Sequence, residues 1–172
     1  IYASIPSRRN GLGSAITFGN SIVPINPITG AVGQPIPAGS EPANLSITSN
    51  GQYIYTALDG PGAVGRLDVA SKTFGGVFSL SNEAPFKGAR FASDMQVAPG
   101  AVDTLAVSRT SDKLSLSHMS VAIYDNGTQR SQTTEKQFQL PWETNNVIEY
   151  GSSASTIYGL SLGSSIQDFH RM

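Results

Sequence analysis

Four segments of this chain read alike and recur at nearly constant spacing. Ile1-Tyr2-Ala3-Ser4, Ile54-Tyr55-Thr56-Ala57, Leu105-Ala106-Val107-Ser108 and Ile157-Tyr158-Gly159-Leu160 start 53, 51 and 52 residues apart. A further strand-like run follows each, at 21–26, 63–68, 120–125 and 166–171. Three of these runs end on Asn or Asp followed by turn residues: Asn26-Pro27-Ile28-Thr29-Gly30, Asp68-Val69-Ala70-Ser71-Lys72 and Asp125-Asn126-Gly127-Thr128. A period of this length with four strands per unit belongs to a β-propeller. The competing reading is an all-β sandwich with accidental internal similarity.

The best-formed unit lies at 39–74. Residues 43–48 (ANLSIT), 53–58 (YIYTAL) and 63–69 (AVGRLDV) are short runs rich in aromatic and β-branched residues, the composition of strands. Ser49-Asn50-Gly51-Gln52 and Asp59-Gly60-Pro61-Gly62 separate them. Asn-Gly suits a type I′ hairpin, in which both central residues take positive φ. Residues 73–80 (TFGGVFSL) supply the outer strand, with Gly75-Gly76 allowing a bulge. The expected fold is therefore all-β: a partial β-propeller of about three and a half four-stranded antiparallel blades, at roughly 1–38, 39–80, 81–140 and 141–172. In the third blade 92–98 is the inner strand and 136–140 the outer one. Residues 121–124 (VAIY) are apolar without alternation, as expected of a strand covered on both faces.

Glu41-Pro42, then Ser49-Asn50-Gly51-Gln52-Tyr53-Ile54-Tyr55, then Ala63-Val64-Gly65-Arg66-Leu67-Asp68 resembles the YVTN-type repeat. That repeat builds bacterial surface-layer and lactonase-like seven-bladed propellers. The likeness is good over 39–74, looser over 1–32 and 92–130, and weak over 145–172. It implies a bacterial propeller that is secreted, periplasmic or on the cell surface. The lactonase-like relatives imply sugar-lactone hydrolysis, although no catalytic pattern of theirs maps onto positions here. Such repeats serve enzymes and binding modules alike.

Composition narrows the partners. The net charge is −1 and only 13% of residues are charged, so nothing electrostatic favours nucleic acid or an acidic membrane surface. No apolar run approaches the ~20 residues of a membrane helix. The chain contains no cysteine, which excludes disulfides and thiolate metal sites. The two histidines, His118 and His170, stand at non-equivalent repeat positions without further ligands at metal spacing. No metal and no cofactor is called.

The candidate site residues fall on the loops and strand entrances. Arg8 and Arg9 lie in the loop 6–19 and suit an anionic group, or simply a solvated loop. Asp59 opens the break at 59–62. Glu83 and Arg90 belong to a crossing loop at 81–91, and Trp142 to another at 141–144, where it can stack on a sugar ring or pack between blades. Asp94 stands at the entrance of an inner strand, facing a central channel or capping a turn. Arg109 and His118 bound a loop at 109–118 that shares its side of the sheet with 6–19 by strand parity.

Two function classes follow. The favoured one is a non-catalytic binding or structural module of an exported bacterial propeller, presenting loops for ligand, surface or self-assembly contacts. The alternative is a lactonase-like hydrolase at the channel mouth, which requires Asp59, Glu83, Asp94, Arg109 and His118 to converge within hydrogen-bond reach.

Residues 1–5 lack a preceding inner strand, and 166–171 lack a following outer strand. The expectation is a portion of a longer polypeptide, with ring-completing self-association or partner-covered ends as alternatives. The end strands should pair with the remainder of the polypeptide or another subunit. Residues 1–172 expressed alone should therefore oligomerise or stay poorly soluble. A stable monomer in light scattering, with slow amide exchange at 1–5, contradicts this.

Overall fold

Short β-branched and aromatic runs punctuated by Gly, Asn, Asp and Pro favour hairpins over helices. The computed structural model describes residues 1–7, 18–80, 89–111, 118–134, 145–162 and 167–171. These residues form fourteen strands and no α-helix. No helix among them is long and apolar enough to cross a membrane.

The strands group into four antiparallel meanders. The first sheet holds β1 (Tyr2–Ile5), β2 (Ser21–Pro24) and β3 (Ile36–Pro37). The second holds β4 (Pro42–Ile47), β5 (Tyr53–Leu58), β6 (Ala63–Asp68) and β7 (Thr73–Ser79). The third holds β8 (Arg90–Val97), β9 (Thr104–Ser111), β10 (His118–Asp125) and β11 (Thr128–Thr133). The fourth holds β12 (Asn145–Tyr150), β13 (Ile157–Leu162) and β14 (Gln167–Arg171).

Adjacent sheets pack face to face through three apolar clusters. Ile22 and Ile36 of the first sheet meet Ile54 and Leu67 of the second. Tyr55, Ala57 and Val64 of the second meet Met95, Leu105, Val107, Ala122 and Tyr124 of the third. Ala106 and Val121 of the third meet Ile148, Tyr150 and Ile157 of the fourth. The central strands of the third sheet thus bury both faces, with Leu105 and Val107 on one side and Ala106 on the other. The unalternated run at 121–124 has the same cause: Val121 and Ile123 face the fourth sheet, Ala122 and Tyr124 the second. Each fully buried Val, Leu or Ile contributes roughly 1.5–3 kcal/mol by removal from water.

The first strands of successive sheets, β4, β8 and β12, lie against one another, and side chains clasp them. Asn44 Nδ2 donates to the carbonyls of Ser93 (2.5 Å) and Ala92 (3.4 Å). Ser46 Oγ accepts from the Val97 N–H at 3.0 Å. Asp94 repeats the device one sheet on, its Oδ2 accepting from the Ile148 N–H at 2.8 Å. Each of these three strands carries a register shift near its start, between Pro42 and Leu45, Ala92 and Asp94, and Asn145 and Val147. In β4 and β8 the clasping residue, Asn44 or Asp94, sits at that shift.

The turns explain where strands stop. Asn26 Oδ1 accepts from the Ile28 and Thr29 amides, and Gly30 leaves the turn at φ 70°. Asp68 Oδ1 accepts from the Ser71 amide and hydroxyl, and Lys72 leaves at φ 56°. The Ser71 hydrogen bonds hold the Asp68 carboxyl below its ordinary range. Asp125 instead begins a two-residue hairpin with Asn126 and Gly127 at φ 46° and 80°. Its carboxylate accepts from Arg130 (2.6 Å) and Thr104 Oγ1 (2.9 Å), and the Arg130 hydrogen bond chiefly lowers its pKa.

Several expectations need correction. Asn50-Gly51 is not a two-residue type I′ turn: Gly51 alone has positive φ, at 71°. The Gly51 amide closes on the Thr48 carbonyl at 2.8 Å, while Asn50 Oδ1 accepts from Thr48 Oγ1 and the Gln52 amide. The side chain of Asn50 does the work expected of its backbone. In the third sheet the outer strand is Thr128–Thr133, because the Asn126-Gly127 hairpin returns the chain at once; residues 136–140 lie outside the described residues. The loop expected at 109–118 is shorter, since β9 runs to Ser111 and β10 starts at His118. The crossing loop expected to reach Phe91 ends earlier, because Arg90 and Phe91 pair with Ser111 and Thr110.

A Cβ added at Gly51 meets no atom within 4 Å, so only the backbone conformation opposes a side chain. Gly51→Val should therefore destabilise the chain by about 1–2 kcal/mol. Gly75→Ala, with open space and no positive φ, should leave the melting temperature nearly unchanged. Equal melting temperatures for the two variants contradict the assigned turn.

Candidate functional site

Antiparallel pairing sends successive connections to alternate ends of the sheet stack. One end carries hydrogen-bonded turns at 48–52, 69–72, 98–103 and 126–127. The opposite end holds the strand ends at Ile5, Ser79, Arg90, Ser111, His118 and Thr133, together with the turn at 59–62. Of the sequence-predicted site residues that the structure describes, Asp59, Arg90, Arg109 and His118 stand toward this end.

Its chemistry begins with two buried arginines. Arg90 pairs with Ser111, and Ala92 with Arg109, so all four side chains leave the third sheet on the face toward the second. Arg90 is 2% exposed and Arg109 0%. Removing a guanidinium from water costs several kcal/mol unless its donors are satisfied. Arg109 Nε donates to Ser120 Oγ at 3.0 Å, and Nη1 to Gln129 Oε1 at 2.7 Å and Tyr124 OH at 3.4 Å. The Tyr124 hydroxyl in turn reaches the Leu80 carbonyl at 3.3 Å, across the sheet boundary. The pattern is that of a polar network sealed between two sheets.

Beside it the loop 59–62 presses on the start of β8. Gly62, at φ 64°, has no room for a Cβ, which would lie 2.7 Å from the Arg90 carbonyl oxygen. The Asp59 amide donates to the Glu41 carbonyl at 2.9 Å. Glu41 holds a left-handed backbone at φ 54° while its amide donates to Asn20 Oδ1 at 2.9 Å, and Asn20 is itself at φ 59°. Ser7 Oγ donates to the Glu41 carboxylate. Two neighbouring non-glycine residues with positive φ mark a backbone held in place by its surroundings.

The set required for hydrolysis is not assembled by the described residues. Asp94 pairs with Ser108, the residue before Arg109, so Asp94 and Arg109 emerge on opposite faces of the third sheet. The Asp94 carboxylate is engaged by the Met95 and Ile148 amides, both at 2.8 Å. It therefore joins the third sheet to the fourth. Arg109 is buried in a strand, where a loop position was expected, and so is Arg90. His118 is paired through its backbone to Thr110. Arg8, Arg9, Glu83 and Trp142 lie outside the described residues. Among the described residues no group of three or more His, Asp or Glu is placed to hold a metal ion.

Sequence reasoning missed Glu41, Asn20 and the Ser120–Tyr124–Gln129 acceptors. Positive φ at a non-glycine residue leaves little trace in sequence. The acceptors could have been found only from the β9–β10 register, which sets Ser120 opposite Arg109.

Ser120→Ala removes an acceptor from a fully buried guanidinium. We expect a loss of about 1–3 kcal/mol in denaturant unfolding. An unchanged midpoint contradicts the network.

No family model matches the sequence, and no curated protein matches it. Among solved structures the chain is similar to Kuenenia stuttgartiensis hydrazine synthase, with a TM-score of 0.67 at 13% identity. The match covers 90% of this chain and 40% of that one, so the chain spans well under half of that neighbour's length. Identity this low carries a likeness of fold alone.

Proposed function

We propose that the chain is part of a β-propeller and that it acts as a non-catalytic binding module of an exported bacterial protein. The observation that carries this reading is the rigid stack of clasped sheets, from whose two ends all of its described connections leave. Loops carried by a rigid scaffold are the usual seat of recognition. Successive sheets packed face to face, with first strands adjoining, support the propeller. The blades are the four meanders, the first and last with three strands each.

The hydrolase alternative is weakened by the opposed faces of Asp94 and Arg109 and by the sealing of Arg109 between sheets. A buried guanidinium already satisfied by Ser120 and Gln129 has little left to offer a lactone carbonyl.

The test uses the whole polypeptide that carries these residues and a panel of five- and six-membered sugar lactones. The binding reading expects ring opening no faster than in buffer. Turnover that disappears in Asp59→Asn would overturn it. Electron microscopy of the same polypeptide should show a closed ring of radial sheets around a channel, and an open stack would overturn the propeller assignment.

A further inference from the structure

The turn end of the groove between the second and third sheets holds a cation whose donors remain available. Arg66 on β6 pairs with Tyr55 on one side and Gly75 on the other. Tyr55 packs toward the third sheet, and the register puts Arg66, Tyr53 and Asp68 on that same face. The guanidinium carbon lies 4.4 Å from the centroid of the Tyr53 ring. Stacking of this kind covers one face of the plane and leaves its edge donors pointing outward. Among the described residues no acceptor makes a hydrogen bond or ion pair with the Arg66 nitrogens. The carboxylate of Asp68, two residues on, is instead engaged by Ser71.

Two clefts meet at this side chain. One, of about 230 Å³, is lined by Tyr55, Phe78 and the hairpin residues Asn126 and Thr128 of the third sheet. The other, of about 340 Å³, is lined by Tyr53, Asp68, Ser71 and Gly75. Arg66 and Gly76 border both. The floor is open because β7 shifts register between the partners of Val64 and Arg66, with Gly76 at φ 58°. A Cβ built on Gly75 meets nothing within 4 Å. The larger volume falls at the lower end of the ~300–1,000 Å³ range of small-molecule sites, and the smaller falls below it.

We propose that this cleft binds a small carboxylate-bearing ligand of the uronic-acid class, its carboxylate taken bidentately by Arg66. The planar fork of two parallel N–H groups matches a carboxylate edge. Asp68, which feels the Arg66 charge, leaves the local charge near zero, so the cleft tolerates a monoanion better than a dianionic phosphate. The hydroxyl of Ser71 and the amide of Asn126 suit the hydroxyls of one sugar ring.

The experiment is an amide-shift titration of the full polypeptide with glucuronate, glucose and acetate, repeated on Arg66→Gln and Gly75→Leu. Glucuronate should shift the Gly75, Gly76 and Gly127 amides and saturate in the millimolar range, about the affinity expected of one charged pair plus a sugar ring. Glucose should shift none of them, and acetate should bind more weakly than glucuronate. Both variants should weaken glucuronate at least about tenfold. Gly75→Leu does so by filling the floor while leaving Arg66 in place, and it decides alone if Arg66→Gln lowers the melting temperature. Failure to saturate, equal binding of glucose, or unchanged affinity in Gly75→Leu overturns the site. Acetate binding as tightly as glucuronate overturns the sugar assignment.

Discussion

The structure depends on sheets that are covered on both faces. A four-stranded meander of six-to-eight-residue strands has too little apolar surface to stand alone, and its backbone ladder gains stability only when water is excluded from both sides. The third sheet shows the consequence. Leu105, Val107, Ala122 and Tyr124 are claimed by the second sheet, and Ala106, Val121 and Ile123 by the fourth. Removing either neighbour exposes half of that core, so the sheets stand or fall together. The buried Arg109 can be tolerated only because the same packing fixes its acceptors.

Packing of this kind leaves the polar groups near the start of each first strand to be settled individually. Asn44 and Asp94 solve one geometric problem with opposite chemistry. The amide of Asn44 donates to carbonyls of the next strand, and the carboxylate of Asp94 accepts an amide from the strand after it. Both stand at a register shift, where the ladder is interrupted and a side chain can reach across. A bulge that looks like a defect within one sheet is thus a point of attachment between two.

Antiparallel topology then divides the molecule into two chemically different ends. At the turn end, Asx side chains and positive φ values hold the backbone in closed turns, and the Arg66 cleft opens where β7 shifts register against β6. At the other end lie the strained Glu41–Asn20 pair and the sealed Arg109 network. The same strands support both ends, so a substitution in the shared core affects either.

The sequence by itself determined the all-β class and most strand positions. Apolar runs such as Tyr53–Leu58 and the Asn, Asp and Gly residues that end them act locally, through backbone propensity and turn geometry. Gly51 and Gly127 were legible for that reason, and so was the double burial of 121–124. The finer turn at Asn50 and the outer strand at Thr128–Thr133 were not, because loop length depends on which side chains find partners as the hairpin closes. Of the candidate site, the sequence supplied residue types. Tertiary structure decided the rest: it drew Arg90 and Arg109 inside, set Asp94 on the opposite face from Arg109, and left Arg66 stacked on Tyr53 at the mouth of a cleft. Each outcome follows from register and from which sheet lies opposite, and those are long-range facts that no local pattern encodes.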